Sequence, residues 1–220
     1  MDAIKVCDLF DLTHTRAAKM LAACEYPWEA LSKIGETVLA IGQGLELSDY
    51  DHPAEDVWIA KTATVAATAS IAGPCVIGEK TEVRPGAFIR GNVLIGDGAV
   101  VGNSCELKNC ILFDEVQTPH YNYVGDSVLG YKAHMGAGAV TSNVKGDKKN
   151  VVVHGERDYE TGRKKFGAML GDFAEIGCNS VLNPGTIIGR DSQVYPLSSV
   201  RGVVKARHIV KGARGAFAKD

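Results

Sequence analysis

Beginning at Ile59, an apolar residue recurs at every sixth position: Ile59, Val65, Ile71, Ile77, Val83, Ile89, Ile95, Val101, Leu107 and Phe113. Neither familiar period produces this, because an amphipathic helix repeats near 3.6 residues and a strand in a flat sheet every 2. The chain must turn every six residues. Three short strands joined by three corners make a triangular coil of eighteen residues, each edge sending one apolar side chain to the axis. Small residues follow many of these positions (Ala60, Ala66, Ala72, Gly78, Gly96, Gly102), where a corner would crowd a larger side chain. The expectation is an all-β solenoid of stacked coils.

The signal resumes at Leu170, Ile176, Leu182, Ile188, Val194 and Val200, and Tyr123, Leu129, Met135 and Thr141 hold the spacing for one coil between. The solenoid domain is therefore placed at residues 58–204, about seven coils, with two interruptions at 114–122 and 144–169. Insertions in a solenoid are loops thrown out from a corner, and such loops often carry function. Residues 1–57 differ in kind. Thr13 or Thr15 can cap a helix through Cys24, and Pro27 suits the first turn of a second helix with Trp28, Leu31, Ile34, Val38, Leu39 and Ile41 as its apolar stripe. Such a helical hairpin has no core of its own. It is expected to cap the open end of the solenoid or to pack on a neighbouring subunit. Residues 205–220 read as a basic tail.

A formal net charge of −2 gives no global case for nucleic-acid binding. The acidic start MDAIKVCDLFDLTH lacks the basic and apolar segments of a signal peptide, and no run approaches the ~18 to 20 apolar residues of a membrane span. Six cysteines without a CxxC pair fit reduced thiols, so a cytoplasmic protein is expected.

His120 lies in the first interruption, within HYNYVGD. The segment from VRPGAFIRGN to VKGDKK carries RPGA, VGN followed by an acidic residue and a lysine, HxxYxGD, GAG, and an asparagine after the GAG turn with a lysine six residues on. In these motifs and their order the chain resembles the acetyltransferase half of the bifunctional glucosamine-1-phosphate acetyltransferase and N-acetylglucosamine-1-phosphate uridylyltransferase enzymes, over residues 55 to 200. The stretch ETGRKKFGAMLGDFAEIGCNSVLNPGTIIG is similar to the archaeal-type members. The resemblance implies a left-handed parallel β-helix, a homotrimer with sites between subunits, and acetyl transfer from acetyl-CoA to the amine of a hexosamine 1-phosphate, with no metal required. It implies His120 as general base and Tyr123 as a sugar contact. It implies Arg84 and Lys108 on the sugar phosphate, Asn143 and Lys149 at further substrate positions, and Ala137 and Cys178 along the coenzyme A channel.

The chemistry is consistent with those roles. An amine attacks a thioester as the free base, and an imidazole can accept its proton near neutral pH. The oxyanion needs a donor, such as a backbone N–H of the turn Gly136 to Gly138. The phosphates of coenzyme A need cations, which Arg207, Lys211 and Arg214 can supply unless they form only a solvated tail. The chain departs from the bacterial pattern at Val144 and His134, and in the length of the second insertion. Nothing ahead of the repeats has a GxGxRxxP-like pattern, so uridylyl transfer is not expected of this chain alone, and a separate nucleotidyltransferase is the expected partner. Two rivals remain. One is a non-catalytic sugar-nucleotide sensor or scaffold; the other is a gamma-class carbonic anhydrase, which needs three zinc-binding histidines where this chain offers His120 and His134 without HxxxxH.

Overall fold

The computed structural model describes residues 3–212 and 216–218. The six-residue period is a stack of three-sided coils, and each side is a parallel sheet running along the stack. Ile59, Ile77, Ile95, Leu112, Leu129, Leu170, Ile188 and Val204 align on the first face. On the second, Val65, Val83, Val101, Thr118, Met135, Ile176, Val194 and Val210 do the same, with Thr118 over Met135 one step beyond the Gln117–His134 pair. Ile71, Ile89, Leu107, Val124, Thr141, Leu182 and Val200 follow on the third. Most of these are fully buried. The second face holds eight parallel strands among the described residues, one more level than the seven coils expected.

Three sequence expectations need correction. Residues 114–122 are not an insertion: Gln117–His120 is a strand of the second face, paired with Val100–Asn103 below and His134–Met135 above. The error is one of phase. Leu107 to Leu112 and Val124 to Leu129 are each five residues, because Asn109 and Asp126 take φ of 48° and turn the corner one residue sooner. Asn and Asp tolerate that left-handed backbone better than other side-chain-bearing residues. The axial residues are therefore Leu112 and Val124, not Phe113 and Tyr123. Phe113 is buried in the following position, its ring 5.1 Å from that of Phe10. Tyr123 is turned outward and half-buried.

The second correction concerns residues 205–220. His208–Val210 continues the second face beyond 204, so the solenoid runs past the expected boundary, and Ala216–Ala218 pairs antiparallel with it. Arg214 lies outside the described residues.

The third concerns residues 1–57. In place of a hairpin of two helices, Val6–Leu9, Ala18–Ala22 and Ile34–Gln43 are α-helical, Leu12–His14 and Pro27–Ser32 are 3₁₀ turns, and Tyr50–Ala54 pairs antiparallel with Val57–Ala60. This layer covers the side of the prism, not its end. Strands of the first face read Cys75–Ile77, Val93–Ile95 and Cys110, Ile111, Leu112, buried at every residue. Their outward residues Val76, Leu94 and Ile111 are apolar and need a second layer, and burying each is worth about 1.5–3 kcal/mol. The helix Ile34–Gln43 packs on these three strands.

The insertion after Asn143 is real. It forms a hairpin, Val151–His154 with Asp158–Arg163, that folds back on the N-terminal layer through Tyr159 beside Tyr26 and Trp28 and through Arg163 Nη2 donating to Ser32 Oγ at 2.6 Å.

Candidate functional site

The expected site residues fall on two edges of the third face. On the edge between the second and third faces, Gly138 N–H donates to the His120 carbonyl at 3.0 Å, Asn179 N–H to that of Ala137 at 2.8 Å, and Leu197 N–H to that of Cys178 at 2.9 Å. His120, Ala137 and Cys178 thus stand one above another on consecutive coils. Arg84 and Lys211 lie on the adjacent column, one residue earlier along the chain: Arg84, Gly102, Pro119, Gly136, Gly177, Tyr195 and Lys211 succeed one another in register. At ~4.8 Å per level, the four levels from Pro119 to Lys211 span roughly 19 Å. Lys211 Nζ sits 6.0 Å from the centroid of the Tyr195 ring. Beside the ridge, a cleft of about 400 Å³ is lined by His134, Gly136, Glu175, Cys178 and Tyr195. His134 Nδ1 is 2.8 Å from Glu175 Oε2.

Asn122 fixes this ridge. It is buried at 2% exposure, its Oδ1 accepts the His120 backbone N–H at 3.1 Å, and its Nδ2 donates to the carbonyls of Gly136 at 2.8 Å and Ala139 at 3.1 Å. The imidazole of His120 is exposed and has no hydrogen bond to another described residue. In the turn above it, the Gly136 and Gly138 N–H groups are taken by Ile176 and His120 carbonyls, which leaves that of Ala137 as the free donor among the described residues. Asn122 is a residue that sequence reasoning passed over, although its place inside HYNYVGD was visible.

The other edge gathers Lys108, Tyr123 and Asn143 around a carboxylate. Asp126 Oδ1 is 3.3 Å from Lys108 Nζ and accepts from Asn109 Nδ2 at 2.9 Å, while Asp126 Oδ2 and the Tyr123 hydroxyl accept from Asn143 Nδ2. The Asp126 side chain is only 6% exposed. Gly125 makes this possible, since a Cβ there would meet the Tyr123 hydroxyl at 2.4 Å. Burial, then the Asp126 charge, pushes the Tyr123 phenol above its ordinary range. Asp126 was seen in the sequence only as the end of a motif. Lys149 is exposed in the insertion, with its amide on Asp147 Oδ1 at 3.0 Å, and does not join the cluster. Arg84 is also apart, held in a bidentate pair by Glu82 at 3.1 and 3.0 Å.

Among the described residues, no group of three His, Cys, Asp or Glu side chains is close enough to hold a metal ion, and no helix is long and apolar enough to cross a membrane.

Coils of six-residue edges, with polar residues gathered at their corners, define a hexapeptide-repeat β-helix protein. Within that class, residues 71–157 match the family described as the GMPPB C-terminal domain. The chain is 36% identical over 110 residues to the bifunctional protein GlmU of Methanococcus maripaludis strain C5, covering 50% of this chain and 27% of that protein. The strain S2 counterpart is 33% identical over 166 residues, 67% of this chain and 40% of that one. The bifunctional sugar-1-phosphate nucleotidylyltransferase/acetyltransferase of Sulfurisphaera tokodaii is 33% identical over 114 residues, 51% and 28% of the two. The likeness read from the motifs is thus a likeness to GlmU-type proteins in their acetyltransferase part. The chain spans well under half the length of these curated relatives. Among solved structures, a variant of perosamine N-acetyltransferase from Caulobacter crescentus, in complex with CoA and GDP-perosamine, is 18% identical with a TM-score of 0.39, over 72% of this chain and 54% of that one.

Proposed function

We propose that this chain transfers an acetyl group from acetyl-CoA to the amine of a hexosamine 1-phosphate, with His120 as general base. The observation that carries the reading is the ridge itself. An exposed imidazole, held by its backbone to a buried asparagine, stands one coil below a free amide at Ala137 and two below Cys178, beside an open cleft.

In the reaction the amine lone pair attacks the thioester carbonyl carbon, forming the C–N bond as the carbonyl π electrons move onto oxygen. His120 takes the proton from the attacking nitrogen, and the Ala137 N–H donates to the oxyanion. Collapse restores the C=O, breaks the C–S bond and releases the thiolate, which takes the proton back from the imidazolium to leave coenzyme A as the free thiol. The pantetheine arm runs up the ridge past Cys178, and Lys211 at its far end receives coenzyme A phosphates.

The acceptor half of the site is Tyr123, Asn143 and Lys108. His120 and Asp126 lie at opposite edges of the third face, with the bend at Tyr121 and roughly 13 Å of extended chain from Asn122 to Asp126 between them. One small acceptor does not bridge that gap within a copy. The His120 ridge of one copy therefore meets the Asn143 edge of the next, and a closed three-fold ring supplies three such sites. The setting is cytoplasmic, and a separate nucleotidyltransferase consumes the acetylated product. The test is thiol release from acetyl-CoA with a panel of amino sugars and their 1-phosphates. Absence of turnover across the panel, with tight binding of a sugar nucleotide, would replace the enzyme by a binding protein.

A further inference from the structure

The cations expected to hold a sugar phosphate are already engaged. Arg84 is clamped by Glu82, Lys108 lies 3.3 Å from Asp126, and Arg90, one coil below Lys108, is 2.7 Å from Glu106. Arg201 is different. It is exposed and makes no side-chain hydrogen bond or ion pair with another described residue. It also repeats the register position of Lys108: Lys108, Gly125, Ser142, Asn183 and Arg201 succeed one another up the third face.

Where the insertion leaves the solenoid, it walls off a cleft of about 420 Å³ lined by Ser142, Lys145, Asp147, His154, Asn183 and Arg201. Ser142 and Val144, the two neighbours of Asn143, both border it, so the cleft opens beside the acceptor cluster. Its charges are not balanced. Asp147 is engaged by Lys145 Nζ at 3.3 Å and the Lys149 amide at 3.0 Å, and His154 is paired with Asp158 at 2.8 Å, which leaves the Arg201 guanidinium uncompensated. A planar guanidinium with open donors suits the oxygens of a phosphomonoester.

The geometry points to this cleft as the seat of the acceptor's phosphate, gripped by Arg201, the sugar lying towards Asn143 and Tyr123. The assignment rests on the transfer reading for the identity of the sugar, but not for the binding of phosphate. The insertion thereby acquires a role, since its first turn and the Val151–His154 strand form the outer wall of the phosphate seat.

Titration calorimetry tests it with three probes, inorganic phosphate, glucosamine 1-phosphate and glucosamine. The wild-type chain is expected to bind the sugar phosphate at least about tenfold more tightly than the free sugar. Arg201→Ala loses about tenfold for both phosphate-bearing probes, Arg201→Lys recovers part of it, and affinity for glucosamine is unmoved. Arg201 is exposed, so the variants fold, and an unchanged melting curve verifies this. Wild-type affinity in Arg201→Ala, with the loss appearing in Arg84→Ala instead, would overturn the assignment. The two readings fail separately. If no acceptor is acetylated but Arg201→Ala still loses phosphate, the transfer reading falls and the cleft stands; if Arg201→Ala acetylates glucosamine 1-phosphate with an unchanged KM, the cleft falls and transfer stands.

Discussion

The Asn122 side chain bonds the His120 backbone at 3.1 Å and, through its other atom, two carbonyls of the coil above. One buried amide thus couples the position of the imidazole to the Gly136–Ala139 turn. Asn122→Ala leaves the His120 N–H and the Gly136 and Ala139 carbonyls without that partner, and an orphaned buried polar group costs about 1–3 kcal/mol. Urea unfolding is expected to show a loss of at least that size, with turnover reduced beyond the loss of folded protein. Asn122→Asp keeps the acceptor for His120 but sets a carboxylate against two carbonyls, so it also destabilises.

His120→Ala separates chemistry from stability. The ring bonds no other described residue, so removing it leaves the melting temperature within about a degree, as is usual for exposed substitutions without a named structural role. Loss of a general base lowers kcat by ~10²- to 10⁴-fold. Thiol release measured under saturating acetyl-CoA decides it. Equal turnover in the variant removes the imidazole from the mechanism.

The axial column of the solenoid was legible because one apolar residue per edge is all the packing asks for, and a constant step of six shows in any reading frame. The slip at Leu107–Leu112 was not legible. Phe113 is as apolar as Leu112, and only the left-handed backbone at Asn109 shortens the corner. That slip made Gln117–His120 look like a loop. The side layer left a trace that was overlooked: CVI, VLI and CIL are apolar at all three residues, where a strand facing water on one side alternates. Of the candidate site, the motifs located both edges, but sequence alone could not show that Lys108 and Arg84 are neutralised by Asp126 and Glu82, because those pairs depend on which side chains the corners bring together.

Thiol labelling tests the ridge without any activity. Cys7 and Cys178 are exposed, while Cys24, Cys75, Cys105 and Cys110 are buried. Burial pushes the Cys75 thiol up to about 12 and raises those of Cys105 and Cys110, so these three hold almost no thiolate at neutral pH. Two thiols per chain are expected to react fast with a disulfide reagent and the other four only on unfolding. Saturating coenzyme A should slow Cys178 and leave Cys7 unchanged, as read by peptide mass spectrometry. Equal slowing of neither would place the pantetheine arm elsewhere.

Phe10→Ala tests the claim that the N-terminal layer is part of the solenoid's packing. Phe10 is 3% exposed, and its ring faces Phe113, which stands where most other coils have a glycine or alanine. The neighbouring contact Asp172 N–H to the Leu9 carbonyl at 3.0 Å ties the same segment to a coil far along the chain. Truncating a buried phenylalanine costs about 3–5 kcal/mol, since the transfer term adds to the cavity left against Phe113. A layer packed on the side face loses stability as one cooperative unit with the coils, so a single unfolding transition shifted to lower urea is expected. An independent cap would instead melt first, leaving the main transition in place, and that two-step curve would refute the side-face packing.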